Sequence, residues 1–281
     1  MALRFAEWHP GLRKGLRHRG AIVGLVLIAL FIAMALAAPL VAPHDPLAQN
    51  LALRLEPPSH TNWLGTDDFG RDVLSRVLYG ARISLRVGLV AVAISLFVGG
   101  AIGLVSGFYG ATLDLLVMRV MDVVLAFPSI LLAIAVVAVL GPSLTNAMVA
   151  VGITGIPVYA RLVRGVVLQV KSLEYVTAAR ALGAGDAWLI LRSVLPNCVG
   201  PILVQTSLGL ATAVLDAAGL SFLGLGAQPP TPEWGAMLSQ SRELLLDAPW
   251  VLTAPGIAIL LSVLGFNLVG DGLADSLDPR A

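Results

Sequence analysis

The chain has 281 residues, 57% of them hydrophobic and only 12% charged, with a net charge of +1 and a mean hydropathy of +0.88. A soluble domain carries roughly 25% charged residues, so one water-surrounded core is excluded and an integral membrane protein is the first reading. The two distant lysines, Lys14 and Lys171, offer no basic patch for nucleic acid, and the lone Cys198 excludes an intramolecular disulfide and a cysteine-built metal centre.

About 20 apolar residues cross a bilayer as a helix. Six stretches are long enough: 21–42, 83–107, 115–140, 146–167, 197–222 and 250–271. The predicted fold class is all-α, a polytopic membrane protein with six transmembrane helices. Residues 1–20 form an N-terminal arm carrying Arg13, Lys14, Arg17 and Arg19, followed by the first transmembrane helix, 21–42. That apolar run exceeds the h-region of a signal peptide, so it reads as an anchor despite the cleavage-like Ala35-Leu36-Ala37. The basic arm places the N-terminus in the cytoplasm, and six crossings return the C-terminus there. Loop 168–196 is then cytoplasmic, while 43–82 and 223–249 are outer loops. Arg161, Arg164, Lys171, Arg180 and Arg192 lie in or beside the first of these, against Arg242 alone in 223–249. Loop 43–82 is the exception, with Arg54, Arg71, Arg76 and Arg82 offset by Asp45, Glu56, Asp67, Asp68 and Asp72.

Within 43–82, Thr66 or Asp67 is expected to cap a short interfacial helix with an apolar face of Val73, Leu74, Val77 and Leu78. Asp67, Asp68 and Asp72 lack the spacing of a calcium loop, which favours capping over metal binding. On the second span Ala91, Ser95, Gly99, Gly103 and Gly107 recur every fourth residue. They form a small-residue face for close approach of another helix, in this chain or in a second subunit. On the third span Arg119 and Asp122 stand three apart and are expected to pair.

Loop 168–196 is too long and too regular for a turn. Ser172 is the expected cap of a helix over 172–182, which Gly183 and Gly185 end. Asp186 is the expected cap of a second helix, running until Pro196 breaks the chain. Two short helices about a glycine elbow make a compact knob, with Ala178, Ala179 and Ala181 permitting close contact and Glu174 and Arg180 orienting it. An amphipathic helix lying on the membrane is the alternative. Asp216, deep in the fifth span, either lines a polar path or hydrogen-bonds a neighbouring helix, and Gln205, Thr206 and Asn267 are weaker candidates for the same path. Pro229, Pro230 and Pro232 stiffen the entry to a helix at about 233–246, as a gate, a docking face or a packing cap. The chain has no GxxxxGK[ST], HExxH or GxSxG, and its histidines lie in the arm and first outer loop. Catalysis and a cofactor of its own are not expected.

Ala178, Ala179, Gly183, Leu195 and Pro196 fall in the register of the EAA loop of ABC-importer permeases, with Thr177 replacing the glutamate and Ser193 the isoleucine. Asn62 to Arg76 (NWLGTDDFGRDVLSR), Ser221 to Gly235 (SFLGLGAQPPTPEWG) and Asn267 to Pro279 resemble the dipeptide/oligopeptide/nickel family of these permeases, in particular its C-type subunits. The resemblance implies a type I importer fold whose permease core of five transmembrane helices is 83–281. It implies that Glu174, Thr177, Ala178, Ala179, Arg180, Gly183, Leu195 and Pro196 couple the chain to separate ATPase subunits, which hold ATP and magnesium. A second homologous permease would complete the pore, and an extracytoplasmic substrate-binding protein would deliver a dipeptide or oligopeptide across a bacterial inner membrane. Glutathione or a nickel complex is the alternative cargo. A secondary transporter or channel would call for repeated broken helices or a filter sequence, and neither is evident.

Overall fold

A computed structural model describes residues 19–277, and secondary structure there is almost wholly helical. α1 is Arg19–Val41 and α2 is Val73–Tyr109. α3 is Ala111–Leu125 and α4 is Ser129–Leu140, bent 93° from one another. α5 is Leu144–Lys171, α6 is Glu174–Ala181 and α7 is Asp186–Phe222. α8 is Trp234–Ser241 and α9 is Pro249–Leu277. Five of these helices are long and apolar enough to cross a membrane, and the bent α3–α4 pair meets that standard only when its two helices are taken together.

Two expectations about the spans are corrected. The third span is not one rod over 115–140. It breaks at Phe127-Pro128, because proline has no N–H for the helix ladder and drives the preceding residue out of the helical region. The interfacial helix expected at 73–78 is instead the first turns of α2. Its apolar face is buried in the bundle, with Val73 at 0% and Val77 and Leu78 at 7% exposure. The cap of α2 is Asp72, whose carboxylate accepts from the Ser75 N–H at 2.8 Å and the Asn62 amide at 2.9 Å. Asp67 instead accepts from the Phe69 and Arg71 N–H groups and pairs with the Arg71 Nε at 2.6 Å. No cluster of side chains suited to a metal occurs among the described residues.

α2 lies against α5 along the small-residue face, so its partner is in this chain. A methyl group at Gly103 would overlap the Ala160 carbonyl oxygen, one at Gly99 that of Ile156, and one at Gly107 would sit 2.9 Å from the Val167 Cβ. Backbones this close gain dispersion along their full length where no hydrophobic driving force separates helix from lipid. The Ser95 hydroxyl donates to the Gly152 carbonyl at 2.7 Å within a π turn, Ser95–Gly99. α1 meets α9 in the same manner, at Gly24 and Gly265.

Segment 223–249 folds over one end of the bundle. The fully buried Trp234 donates its indole N–H to the Val77 carbonyl at 3.1 Å and meets the Phe31 ring edge-on at 5.1 Å. Glu233 caps α8, accepting from Gly235 and Ala236 N–H groups at 3.0 and 2.9 Å. Burial pushes its carboxyl above the ordinary glutamate value, against the pull of those two donors. Trp250 donates to the Thr66 carbonyl at 3.2 Å, tying α9 to the 43–72 segment.

Two outcomes follow. Gly103→Leu must drive α2 off α5 and is expected to lower the melting temperature in detergent by several degrees, an overpacking cost of about 1–3 kcal/mol. Gly100→Ala, whose new methyl meets nothing nearer than 4.0 Å, is the matched control and should leave it unchanged. For Glu233, a carboxyl raised in the folded state favours the protonated form. Its stabilising contribution is present below the ordinary glutamate value and is lost as pH rises through the raised one. Glu233→Gln keeps the acceptor oxygen and should flatten that part of the stability–pH curve, whereas Glu233→Ala also loses the cap, at about 1 kcal/mol.

Candidate coupling knob and intramembrane cavity

At the bundle end opposite Trp234, α5 leads through Ser172-Leu173 into α6. The expected cap Ser172 does not cap it: Ser172 donates to the Gln169 carbonyl at 2.8 Å and so closes α5, and Leu173 occupies the cap position of α6 without a side-chain bond. Gly183 then takes φ +90°, a conformation glycine adopts without a Cβ penalty. Ala184 N–H bonds back to the Ala179 carbonyl and Gly183 N–H to that of Arg180, both at 3.0 Å, the pattern of a Schellman helix end. A side chain at Gly183 would meet no atom within 4 Å, so glycine is required there by backbone conformation and not by space.

The second half of the knob departs from expectation. Gly185 is the cap and Asp186 falls in the first turn. Pro196 does not break the chain, because α7 runs unbroken from Asp186 to Phe222. A π turn over Ile190–Val194 precedes the proline, and the Asn197 side chain donates to the Ser193 carbonyl at 2.5 Å. The knob is thus the projecting end of a membrane helix.

Two side chains fasten it. Val176 is 2% and Leu189 0% exposed, and both pack with Phe108, Val163, Val167 and Cys198. Arg180 lies over the Phe108 ring at 5.6 Å, and Lys171 donates to the Phe108 carbonyl at 2.5 Å. Beside them Arg164 grips Asp114 through both carboxylate oxygens, at 2.5 and 2.6 Å, locking α3 to α5. Asp122 likewise pairs with Arg161 across helices at 2.7 Å and not with Arg119, correcting the expected pair within α3. The Arg180–Asp186 pair at 3.9 Å is half exposed on both sides and contributes little.

Glu174, Thr177, Ala178, Arg180 and Gly183 are exposed, whereas Ala179, Leu195 and Pro196 are half-buried on the bundle side. Next to the exposed set stand large apolar side chains left largely or half in the open: Leu182 at 90%, Leu191 at 62% and Trp188 at 46% exposure. The sequence reading missed Leu182 and Leu191 as surface features and Val176 and Leu189 as anchors. The two anchors were visible as the branched and aliphatic residues on one side of otherwise small or polar segments.

Farther along the same helices a cavity of about 250 Å³ lies between α2, α5 and α7, at the knee between α3 and α4. Asp216 and Gln205 both line it, with Ser129, Thr154, Tyr159 and Thr212. The Tyr159 hydroxyl reaches the Gln205 carbonyl at 3.3 Å. Asn267 on α9 is half-buried and does not line this cavity. Thr154, Ser129 and Tyr159 were legible only as polar residues inside apolar runs.

The family model described as binding-protein-dependent transport system inner membrane component matches residues 99–281, and that of the N-terminal TM domain of oligopeptide transport permease C matches residues 8–58. The chain is 50% identical to a dipeptide transport system permease protein of Alkalihalophilus pseudofirmus, over 98% of this chain and 90% of that one. It is 50% identical to a di/tripeptide transport system permease protein of Pseudomonas aeruginosa, covering 94% and 89%. It is 46% identical to a glutathione transport system permease protein of Pectobacterium atrosepticum, covering 97% and 91%. In fold it resembles a chain of the inward-facing MetNI methionine ABC transporter, with a TM-score of 0.59 and 19% identity over 70% of this chain and 94% of that one.

The anchors and the exposed apolar residues of the knob separate by experiment. Leu189→Ala empties a fully buried position and is expected to cost about 2–5 kcal/mol, read as a lowered melting temperature. Leu182→Ala, at a position 90% exposed, should leave thermal stability unchanged.

Proposed function

We propose, from the premise that this chain belongs to the inner membrane components of binding-protein-dependent transport systems, that it forms half of an ATP-driven pore for short peptides. The peptide cargo is supported by the dipeptide and di/tripeptide permeases to which the chain is half identical. Glutathione is the second reading, and the 46% identical glutathione permease favours it. Glutathione is itself a small peptide with free carboxylates, so both cargoes ask for similar chemistry.

The observation that carries the mechanism is the knob. Glu174, Thr177, Ala178, Arg180 and Gly183 shape its surface, Ala179 backs it from the bundle side, Leu182, Trp188 and Leu191 give it apolar contact area, and Leu195-Pro196 join it to the membrane part of α7. An exposed apolar patch on a rigid base suits a protein partner. That partner is an ATPase subunit, which binds ATP and magnesium and makes the knob end cytoplasmic, with both termini of this chain on that side. This chain hydrolyses nothing. A second, homologous permease faces it across the pore, with its own ATPase, and a binding protein delivers the peptide at the Trp234 end.

Closure of the two ATPases on ATP moves the paired knobs toward one another. α7 is continuous with the knob and α5 joins it through Ser172-Leu173, so the displacement rotates them about the α2–α5 contact and changes access to the cavity holding Asp216 and Gln205. Asp216 offers a carboxylate to the α-ammonium of a peptide in transit. Asn267 stands off this path and serves packing between α9 and its neighbours. Hydrolysis and ATPase separation reset the site.

The test is uptake of a labelled dipeptide by the reconstituted transporter, with ATP hydrolysis measured in parallel. Leu182→Glu should reduce uptake about tenfold or more, since a charge at a desolvated contact costs roughly 2 kcal/mol or more. Hydrolysis would no longer respond to loaded binding protein, and the melting temperature would be unchanged. Unaltered uptake would remove the coupling assignment. Asp216→Asn should raise the KM for dipeptides with a free amino terminus more than for N-acetylated ones, and an equal effect on both would leave Asp216 a packing residue.

A further inference from the structure

At the Trp234 end, a cleft of about 950 Å³ opens between the end of α1, the first turns of α2, the start of α5 and the 230–232 prolines. Arg82 and Arg86 line it, one helical turn apart on α2. Both are exposed, and neither is in an ion pair among the described residues. The one acid in the lining is Asp45, whose carboxylate accepts from the Leu47 N–H at 2.8 Å. The cleft therefore carries two guanidinium groups against one committed carboxylate.

Their height is set by the length of α2. Its 37 residues extend about 55 Å at 1.5 Å per residue, against roughly 30 Å of hydrocarbon. The polar end of the helix is fixed near Tyr109, where Lys171 holds the Phe108 carbonyl. Counted back from there, a crossing of about 20 residues ends near Val90, and Arg86 and Arg82 follow at the level of lipid headgroups. Below them on the same face, at helical spacing, come Leu89, Ala93 and Phe97, with Leu89 at 58% and Phe97 at 73% exposure. Across the cleft α1 also presents apolar side chains outward, Leu36 at 73% and Leu40 at 90%.

We infer that this cleft holds the headgroup of an anionic phospholipid, with an acyl chain lying along Leu89 and Phe97. A phosphodiester is an anion whose geometry the fork of an arginine matches, and lipid supplies it at this level. Anionic headgroups attract basic side chains held at their level, and the apolar stripe continuous with the arginines fits the tail of the same molecule. The bound lipid cements α1 to α2 through contacts to both. This assignment is independent of the transported cargo.

The experiment uses the chain with the subunits that accompany it, in nanodiscs of phosphatidylcholine containing a trace of either phosphatidylglycerol or phosphatidylcholine with a photoreactive acyl chain. Labelling of the peptide spanning Leu89 to Phe97 should favour phosphatidylglycerol about tenfold. Arg82→Gln/Arg86→Gln should abolish that preference, and Arg82→Lys/Arg86→Lys, which keeps the charge without the fork, should keep part of it, which separates lost charge from lost fold. Equal labelling by the two lipids in the unaltered protein would overturn the inference. So would a preference that survives the double glutamine variant while the KM for free-acid peptides, and not for amidated ones, rises: the arginines would then serve the cargo's carboxylate.

Discussion

The close approach of α2 and α5 is the contact on which the rest of the bundle depends. In lipid, no hydrophobic force drives one apolar helix onto another, so helices hold together where backbones approach and polar groups meet. Gly99, Gly103 and Gly107 bring α2 against the carbonyls of Ile156, Ala160 and Arg164, and Ser95 adds a hydrogen bond to Gly152 within the same seam. The π turn at Ser95–Gly99 falls inside this contact and sets how the two halves of α2 face α5. With α2 so placed, its first turns present Val73 and Val77 to Trp234, and its last turn presents Phe108 to Val176 and Leu189. Both ends of the molecule are organised from one seam.

α5 and α7 each join an end of the knob to the lining of the cavity. α5 contributes Thr154 and Tyr159 before it enters α6, and α7 begins at the knob and reaches Asp216 some 45 Å further on, at 1.5 Å per residue. Loops between knob and span would absorb a push, whereas a continuous helix passes it on. A π turn, Ile190–Val194, lies just before Pro196, and neither interrupts α7. Continuity of α7 is a physical connection between the two sites, and movement along it is part of the proposed mechanism.

The sequence disclosed what depends on composition and local spacing. Five spans, the glycine face of α2 and the glycine elbow at Gly183 are all set by residues within a few positions of one another. Legibility ended where the outcome depends on a neighbour. Asp122 had Arg119 in reach along its own helix, yet Arg161 on α5 takes it, because a partner across a helix interface approaches head-on. Residues 73–78 carry an amphipathic face suited to a membrane surface, but Trp234, more than 150 positions away, covers that face and fuses it into α2. Pro128 and Pro196 are the same residue type in similar apolar settings, and one bends the chain by 93° while the other is absorbed. Pro157, Pro201 and Pro255 are likewise carried inside helices, so a proline in an apolar run does not by itself decide whether the helix bends. Of the candidate path residues, Asp216 and Gln205 converge and Asn267 does not, since only helix rotation decides which faces meet.

The knob divides its side chains by role. Val176 and Leu189 are spent inward and fix its position, while Leu182 and Leu191, of the same chemical kind, are left outside at the cost of hydrating them. That cost is roughly 25 cal/mol for each Å² of apolar surface, and burying the same surface against a partner recovers it. An exposed leucine on a mobile loop would lose much of that gain to ordering. On α7 and the Schellman turn the backbone is already ordered, so more of the contact energy remains for binding. Rigidity of the base and apolarity of the tip therefore belong together, and under the proposed mechanism they are what suits the knob to receive mechanical work from another protein.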